Sequence, residues 1–236
     1  MPNIDRAALA QSLQRLTQRA DDDIGAAIER TVRACVDLFA VDGAGLMIAD
    51  QQNTLRYVCS SDEAGRVLEE VQSETGQGPC VDTFVYGEQV HTDDMAAEQR
   101  WPRSRGTIVD QGVRAVLGVP VQLGGITVGS LNVYRRQPHG WDRSERDALS
   151  SYGEVVEATL LAALAAHSAT ELAEQLQYAL DNRVLIERAV GFVMADADVD
   201  AVAAFDVVRR AARGSRRKVA DIAREILDTR KLPTAP

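Results

Sequence analysis

Hydrophobic residues are spaced most regularly in the C-terminal part of the chain. One stripe recurs every three or four residues, as in a coiled-coil seam, and includes a single arginine; its members are Leu172, Leu176, Ala179, Arg183, Ile186, Val190 and Val193. A second helical stripe follows residues 196–198, and a third ends at Pro233 with Ser215 as its expected N-cap. The pattern predicts three helices within residues 172–232 and a dimer seam, with the candidates Leu172, Leu176, Ala179 and Ile186.

In the N-terminal part the hydrophobic period changes from that of helices to that of strands. Helical spacing covers residues 9–16 and 24–39. Strand-like patterns follow, with short helices among them, at residues 45–50, 54–59, 115–123 and 126–134. The last two are joined by Gly124-Gly125, a strong hairpin signal. This order predicts an antiparallel sheet with helices packed on one or both faces.

A long helical pattern joins the two parts. It begins after Ser144 and has neither proline nor a glycine-rich break from Glu154 to Val190. At about 1.5 Å per residue, such a helix spans more than ~50 Å, and a bend near His167-Ser168 is the alternative. Its alanine-rich stripe predicts that two copies of the chain pair in parallel along it. The alternative is that these alanines pack on the sheet of their own chain, at least in the first half of the helix.

Composition is ordinary for a soluble globular protein. The 236 residues are 45% apolar and 26% charged, which allows two modest domains. No apolar run approaches the ~18 residues of a membrane span. The N-terminal segment has an early acid and no apolar block, so we expect no secretion signal and a cytoplasmic location. Cys35, Cys59 and Cys80 lack the short spacing of a metal site or a redox dithiol, and we expect reduced thiols.

The net charge of −9 argues against a nucleic-acid partner until its distribution is considered. Residues 1–170 carry 15 basic and 24 acidic side chains, whereas residues 171–236 carry 11 of each. Six of the ten residues from 209 to 218 are cationic and none is acidic. A cationic junction between two helices is suited to neutralise phosphates and to stack on unpaired bases. The simpler alternative is a solvated junction that keeps a small domain soluble.

The C-terminal part contains four short motifs, at residues 183–194 (RVLIERAVGFVM), 204–205 (AF), 208–211 (VRRA) and 216–223 (RRKVADIA). With these motifs it resembles the ANTAR domain, an RNA-binding module of transcription antitermination regulators. Val190 departs from the family pattern, which usually has lysine there, and Arg216 stands where asparagine is common. The resemblance implies RNA contacts from eight cations: Arg183, Arg188, Arg209, Arg210, Arg213, Arg216, Arg217 and Lys218.

The N-terminal part also contains four motifs, at residues 76–80 (GQGPC), 100–102 (RWP), 112–120 (GVRAVLGVP) and 129–134 (GSLNVY). With these motifs it resembles a GAF domain, and the two parts together resemble GAF-ANTAR regulators of the actinobacterial type. The expected class is α+β, with a GAF domain joined by a long helix to a three-helix ANTAR domain. We expect the boundaries to be an N-terminal helical extension over residues 1–20, a GAF sensor over 21–167 and an ANTAR domain over 168–232.

GAF domains often bind small molecules, so a small-molecule effector is expected without an assigned identity. No cofactor or metal is predicted. Residues on loops over a sheet are the candidates for a pocket rim: Cys80, Asp82, Trp101 and Arg103. Asp82 could instead be a helix-start acid, and Trp101 a core residue.

The function that the resemblance implies is a non-enzymatic, signal-responsive antitermination regulator. Paired ANTAR domains would bind two adjacent RNA hairpins and prevent a terminator from forming. Two alternatives stay open. One is a protein-binding adaptor that uses the three-helix tail, and the other is a GAF-fold thiol reductase that uses Cys80 or Cys59.

Overall fold

Five antiparallel strands form one sheet in the computed structural model, which describes residues 3–17, 23–50, 55–165 and 171–231. The side chains of residues 171–176 and 179 lie outside that description. The strands are β1 (Gly43–Ala49), β2 (Leu55–Ser60), β3 (Val90–Thr92), β4 (Ala115–Leu123) and β5 (Ile126–Arg135). Their spatial order is β2-β1-β5-β4-β3, so β1, β5 and β4 are central.

The tight turn between β4 and β5 confirms the hairpin that the glycine pair predicted. Gly124 and Gly125 have φ values of 58° and 83°. A two-residue turn of this kind needs positive φ at both central positions, and glycine adopts it without a steric penalty.

Six helices flank the sheet: α1 (Arg6–Thr17), α2 (Ile24–Phe39), α3 (Glu63–Thr75), α4 (Pro79–Tyr86), α5 (Arg105–Asp110) and α6 (Arg143–Ala165). The first face is covered by α1, α2 and α6, whose apolar sides pack on Leu46, Ile48 and Leu117. The second face is covered by α3, α4 and α5. Every residue of β1 is buried because both faces are covered.

Three further helices, α7 (Glu171–Ala197), α8 (Ala201–Ser215) and α9 (Val219–Thr229), form a C-terminal bundle, as the apolar stripes predicted. Asp200 caps α8, since its carboxylate accepts the backbone N–H of Ala203 at 2.8 Å. The expected cap of the third helix was wrong. Ser215 is the last residue of α8 and donates its hydroxyl to the Ala211 carbonyl, and Lys218 is the residue before α9.

The bundle packs against the second face of the sheet. One continuous buried cluster contains residues of both parts. The N-terminal part contributes Met47, Ala49, Leu55, Cys80, Val81 and Phe84, and the bundle contributes, among others, Ile186, Val190, Val193, Phe205 and Val208. The rings of Phe84 and Phe205 meet edge to face, with centroids 5.9 Å apart. The two parts therefore share a core.

This packing is incompatible with the straight form of the long helix predicted from Glu154 to Val190, and the alternative of a bend near residues 167–168 falls outside the described residues. Val156 of α6 is buried on the first face of the sheet, whereas α7 contacts β1 and β5 and buries Ile186 on the second face. A straight helix of about 55 Å would carry α7 away from the sheet. Residues 166–170, between the two helices, lie outside the described part.

Within the described residues, α6 is long and apolar enough by composition to cross a membrane. Its apolar character has another explanation in this fold. Leu149, Tyr152, Val156 and Leu160 form a buried stripe against the sheet, as in the core helix of a folded domain.

Candidate nucleic-acid interface

A sharp chain reversal between α8 and α9 presents the cationic segment Arg216, Arg217 and Lys218, here called the elbow. Arg216 ends α8 in the left-handed region with φ of 54°, and its backbone N–H is bonded to the carbonyls of Ala212 and Arg213. Lys218 returns to extended backbone just before α9. All three elbow side chains are exposed. The reversal therefore leaves three consecutive cations exposed between α8 and α9.

The elbow cations are lightly restrained. Arg217 pairs with the exposed Glu225, and the Lys218 ammonium lies 4.8 Å from the centre of the Tyr178 ring. Arg216 has no side-chain hydrogen bond or ion pair with any residue that the structure describes. Exposed pairs of this kind contribute little to stability, so an external anion can replace them at small cost.

Arg209 has a very different environment from the elbow. Its side chain is 5% exposed. The guanidinium donates to the Ser73 carbonyl at 2.7 Å and to the Asp206 carboxylate at 2.8 Å. Ser73 lies in the last turn of α3, where carbonyls lack partners within the helix and the dipole favours a cation. Arg209 therefore binds the C-terminal end of a helix of the other domain.

Arg183 is also buried against the N-terminal part. Its guanidinium carbon lies 4.8 Å from the centre of the Phe84 ring, and the group bonds Glu187 at 2.7 Å. It also reaches the Phe84 carbonyl at 3.5 Å. Of the eight cations expected to contact RNA, Arg183 and Arg209 are thus covered by the protein itself. The other six are exposed: Arg188, Arg210, Arg213, Arg216, Arg217 and Lys218.

One carboxylate at the domain boundary is shared by three arginines. Asp206 lies 2.8 Å from Arg209, 3.1 Å from Arg210 and 3.5 Å from Arg103. Arg213 adds a fourth guanidinium, 3.4 Å from the Ser73 carbonyl. Its pKa is lowered by burial and by the neighbouring Arg209 charge. Four guanidinium groups therefore lie close together at the boundary.

Three of the four pocket-rim candidates do lie together. Asp82, Trp101 and Arg103 line a cleft of about 770 Å³ between the N-terminal part and α8. The Trp101 indole donates to Asp82 at 2.9 Å, and the Arg100 guanidinium stacks on that indole at 4.2 Å. Burial raises the pKa of Asp82 to about 6. The cleft has the volume of small-molecule sites, which occur often at domain interfaces.

Cys80 does not lie on the rim, which corrects that prediction. It is fully buried in the first turn of α4, and its sulfur accepts a hydrogen bond from Gln72 at 2.9 Å. Burial raises its pKa well above the ordinary value for a thiol, and raises that of Cys59 to about 12. Neither thiol is accessible or ionised near neutral pH, so the geometry does not favour thiol reductase chemistry. The described residues contain no group of side chains suited to hold a metal.

The second face also contains a buried polar cluster that the sequence patterns did not predict. Glu69 is 1% exposed, and neither carboxylate oxygen has a hydrogen-bond partner among the described residues. The Thr83 hydroxyl and the Asn132 amide oxygen are also buried without a partner there. Burial raises the pKa of Glu69 well above its ordinary value. Asn132 lies between two glycines on the neighbouring strands, Gly45 of β1 and Gly118 of β4. Glycines within strands were the sequence signal that could have indicated this cluster.

The predicted dimer seam is tested only at Ile186. That residue is 2% exposed and packs in the cluster shared by the two parts of its own chain, so it is not on an open seam. The side chains of Leu172, Leu176 and Ala179 lie outside the described part of the chain.

Two protein families match the chain. The GAF domain family matches residues 23–160, and the ANTAR domain family matches residues 174–227. No curated protein matches.

Solved structures with a similar fold include GAF domains and an enzyme. The GAF domain of an Acinetobacter phosphoenolpyruvate-protein phosphotransferase is 16% identical with a TM-score of 0.55, and the match covers 70% of this chain and 96% of that one. A similar domain from Coxiella burnetii is 17% identical with a TM-score of 0.56, covering 67% and 96%. The free methionine-R-sulfoxide reductase of Neisseria meningitidis is 18% identical with a TM-score of 0.55, covering 68% and 90%. At these identities the likeness shows the fold alone.

Proposed function

Because this chain belongs to the GAF domain family and carries an ANTAR domain after it, we propose that it is a signal-responsive antitermination regulator that binds hairpins of nascent RNA. GAF and ANTAR are regulatory domains, and the pair matches a GAF-ANTAR regulator. The observation that carries the RNA-binding proposal is the exposed elbow of Arg216, Arg217 and Lys218.

The charge distribution supports RNA binding at the elbow. The chain has a net charge of −9, all of which comes from residues 1–170. An acidic GAF domain repels RNA, so the ANTAR surface is where a phosphate backbone is attracted. Arg188, Arg210 and Arg213 are exposed on the same domain and extend its cationic surface. Guanidinium groups also stack on the unpaired bases of hairpin loops.

We propose that two copies of the chain act together, because an elbow of three residues can contact one hairpin at a time and two adjacent hairpins then need two ANTAR domains. Leu172, Leu176 and Ala179 remain the candidates for the seam. On α6, Leu161 is 44% exposed and offers a further apolar contact. The proposal places the protein in the cytoplasm with its RNA, and assigns the effector to the cleft beside Asp82, Trp101 and Arg103.

The test is RNA binding by the full chain at two salt concentrations. The probe is an RNA of two adjacent hairpins, enriched on the full chain from a pool with randomised loops. An Arg216→Ala, Arg217→Ala, Lys218→Ala variant should bind more weakly. The slope of log affinity against log salt concentration should become less steep by about two to three, since each lost phosphate contact removes ~0.7–0.9.

The matched control is an Arg6→Ala, Arg15→Ala, Arg143→Ala variant, which has the same net charge and should bind as the wild type does. Equal loss in both variants would mean that only net charge matters. If no hairpin is enriched, the proposal fails, and a protein-binding adaptor becomes the better account of the exposed bundle.

A further inference from the structure

We infer that the outer face of α3 and α4 is an RNA-mimicking surface: it binds the guanidinium groups of Arg183 and Arg209, so that docking of the ANTAR domain and full RNA binding exclude each other. This rests on the proposed function, because it assumes that these arginines contact RNA once they are free. The surface is defined here as Ser73, Gly76, Val81 and Phe84.

The surface offers each arginine what RNA would offer. Arg209 receives a negatively polarised oxygen, the Ser73 carbonyl at 2.7 Å, in place of a phosphate oxygen. Arg183 receives an aromatic face, the Phe84 ring at 4.8 Å, in place of a base. These are the two contacts that arginine makes with single-stranded nucleic acid.

RNA cannot reach either arginine while the domains are docked. The space enclosed by Leu55, Phe84, Phe205 and Arg209 is about 10 Å³, roughly the room for one water molecule. Arg183 and Arg209 are 7% and 5% exposed. A phosphate or a base can replace their present partners only if the bundle leaves the surface.

The same interface has features that permit release. An ion pair that crosses the boundary, between Asp206 and the half-exposed Arg103 at 3.5 Å, contributes little to docking. Burial and the neighbouring Arg209 charge lower the pKa of Arg213, so docking disfavours the charged form of that side chain. The surface also belongs to α3 and α4, which carry Gln72 and Asp82 beside the GAF polar cluster and the cleft. A ligand that shifts either helix moves the Ser73 carbonyl or the Phe84 ring directly.

A pair of glycines allows a matched test. Gly76 and Gly87 end α3 and α4 with φ values of 66° and 68°. A Cβ at Gly76 would lie 2.3 Å from the Arg209 guanidinium and 2.9 Å from Asp206, whereas a Cβ at Gly87 would approach the Thr127 hydroxyl at 3.0 Å. Asparagine tolerates this backbone region better than most residues. Gly76→Asn therefore displaces Arg209 or the bundle, and Gly87→Asn repeats the backbone change away from the interface.

The first measurement is the affinity of full-length wild type, Gly76→Asn and Gly87→Asn for the enriched tandem-hairpin RNA. Gly76→Asn should bind at least ~10-fold more tightly than the other two, because a larger fraction of the protein then has an undocked ANTAR domain. Equal affinity of all three proteins would overturn the inference. No binding by any of them would instead remove the proposed function.

The second measurement needs no variant. Linkage is reciprocal, so saturating RNA must weaken docking in the wild type by the factor with which docking weakens RNA binding. Amide hydrogen exchange in Pro79–Tyr86, the helix that the bundle covers, should become faster when RNA is added. Unchanged exchange at saturating RNA would show that the docked state binds RNA as it is, and would overturn the inference even if Gly76→Asn failed to fold.

Discussion

Arg209 and Arg210 are neighbours in the sequence, yet they belong to two different surfaces of the ANTAR domain. Arg209 is 5% exposed and bonds the end of a GAF helix, while Arg210 is 63% exposed at the edge of the cleft. The GAF-facing surface holds Arg183 and Arg209, and the solvent-facing surface holds the elbow. One of two neighbouring arginines can thus hold the docked domains together while the next is exposed to solvent.

The largest expected effect is a difference in unfolding free energy between variants of Arg209 and Arg210. Arg209→Ala removes the buried bonds to the Ser73 carbonyl and the Asp206 carboxylate, leaving Ser73 only the longer contact with Arg213, and should cost about 3 kcal/mol of unfolding free energy. Arg210→Ala removes an exposed pair and should cost less than about 1 kcal/mol. Urea unfolding of the two variants measures both. Similar costs would remove the distinction between the two surfaces.

The second prediction concerns Glu69, a buried carboxyl inside the GAF domain. Burial raises the pKa of Glu69 in the folded state, so the proton is held more tightly there than in the unfolded chain. Stability is then full below the unfolded pKa and falls as pH rises towards the folded pKa, by up to about 1.4 kcal/mol per pH unit.

Glu69→Gln should abolish that fall and make the variant more stable than the wild type at pH 7 to 8. Glu70→Gln is the control, because Glu70 is the next residue of α3 and is an exposed partner of Arg66. Denaturation from pH 4 to 8 gives the comparison. A Glu69→Gln variant that keeps the wild-type pH dependence would show that this carboxyl does not titrate abnormally.

A smaller effect is expected at the aromatic contact of the GAF-facing surface. Phe84→Leu keeps most of the apolar volume but removes the edge-to-face pair with Phe205 and the stacking of Arg183. The expected loss is about 1 kcal/mol. Tyr86→Leu, on the same helix and 47% exposed, should change the unfolding free energy much less. If both cost the same, the aromatic contact does not hold the domains together.

The smallest effect on stability is expected at the elbow. The Arg216→Ala, Arg217→Ala, Lys218→Ala variant should unfold within about 0.5 kcal/mol of the wild type, because the ion pair that it loses, between Arg217 and Glu225, is exposed to solvent. Thermal melting together with RNA affinity checks this. A large loss of stability would make the elbow a structural element rather than a free binding surface.

Local sequence signals predicted most of the fold. Gly124-Gly125 predicted the β4–β5 hairpin because few other residues accept both positive φ values. The apolar stripes predicted α7, α8 and α9 because helical burial has a fixed period. The predicted N-cap of α9 was wrong because α8 extends through Ser215. The turn is made by Arg216, which adopts left-handed backbone although its residue type has no preference for it.

The docked arrangement could not be predicted, because it depends on contacts between residues far apart in the sequence. In the sequence nothing distinguishes Arg183 and Arg209 from the exposed arginines near them. Only the packing of the bundle against α3 and α4 buries these two side chains. Val190 departs from the family lysine, and the structure buries it in the shared cluster, where an ammonium would be desolvated. The burial of Glu69 could not be predicted either, because nothing in its local sequence distinguishes it from the exposed Glu70.

Peptide-resolved arginine modification tests the division into two surfaces most directly. The full chain is treated with a dicarbonyl reagent, with and without the enriched tandem-hairpin RNA. In the free protein Arg210, Arg216 and Arg217 should react quickly and Arg183 and Arg209 slowly, and RNA should protect Arg216 and Arg217. Rapid reaction of Arg209 in the free protein, or elbow arginines that stay reactive in the presence of saturating RNA, would contradict the account.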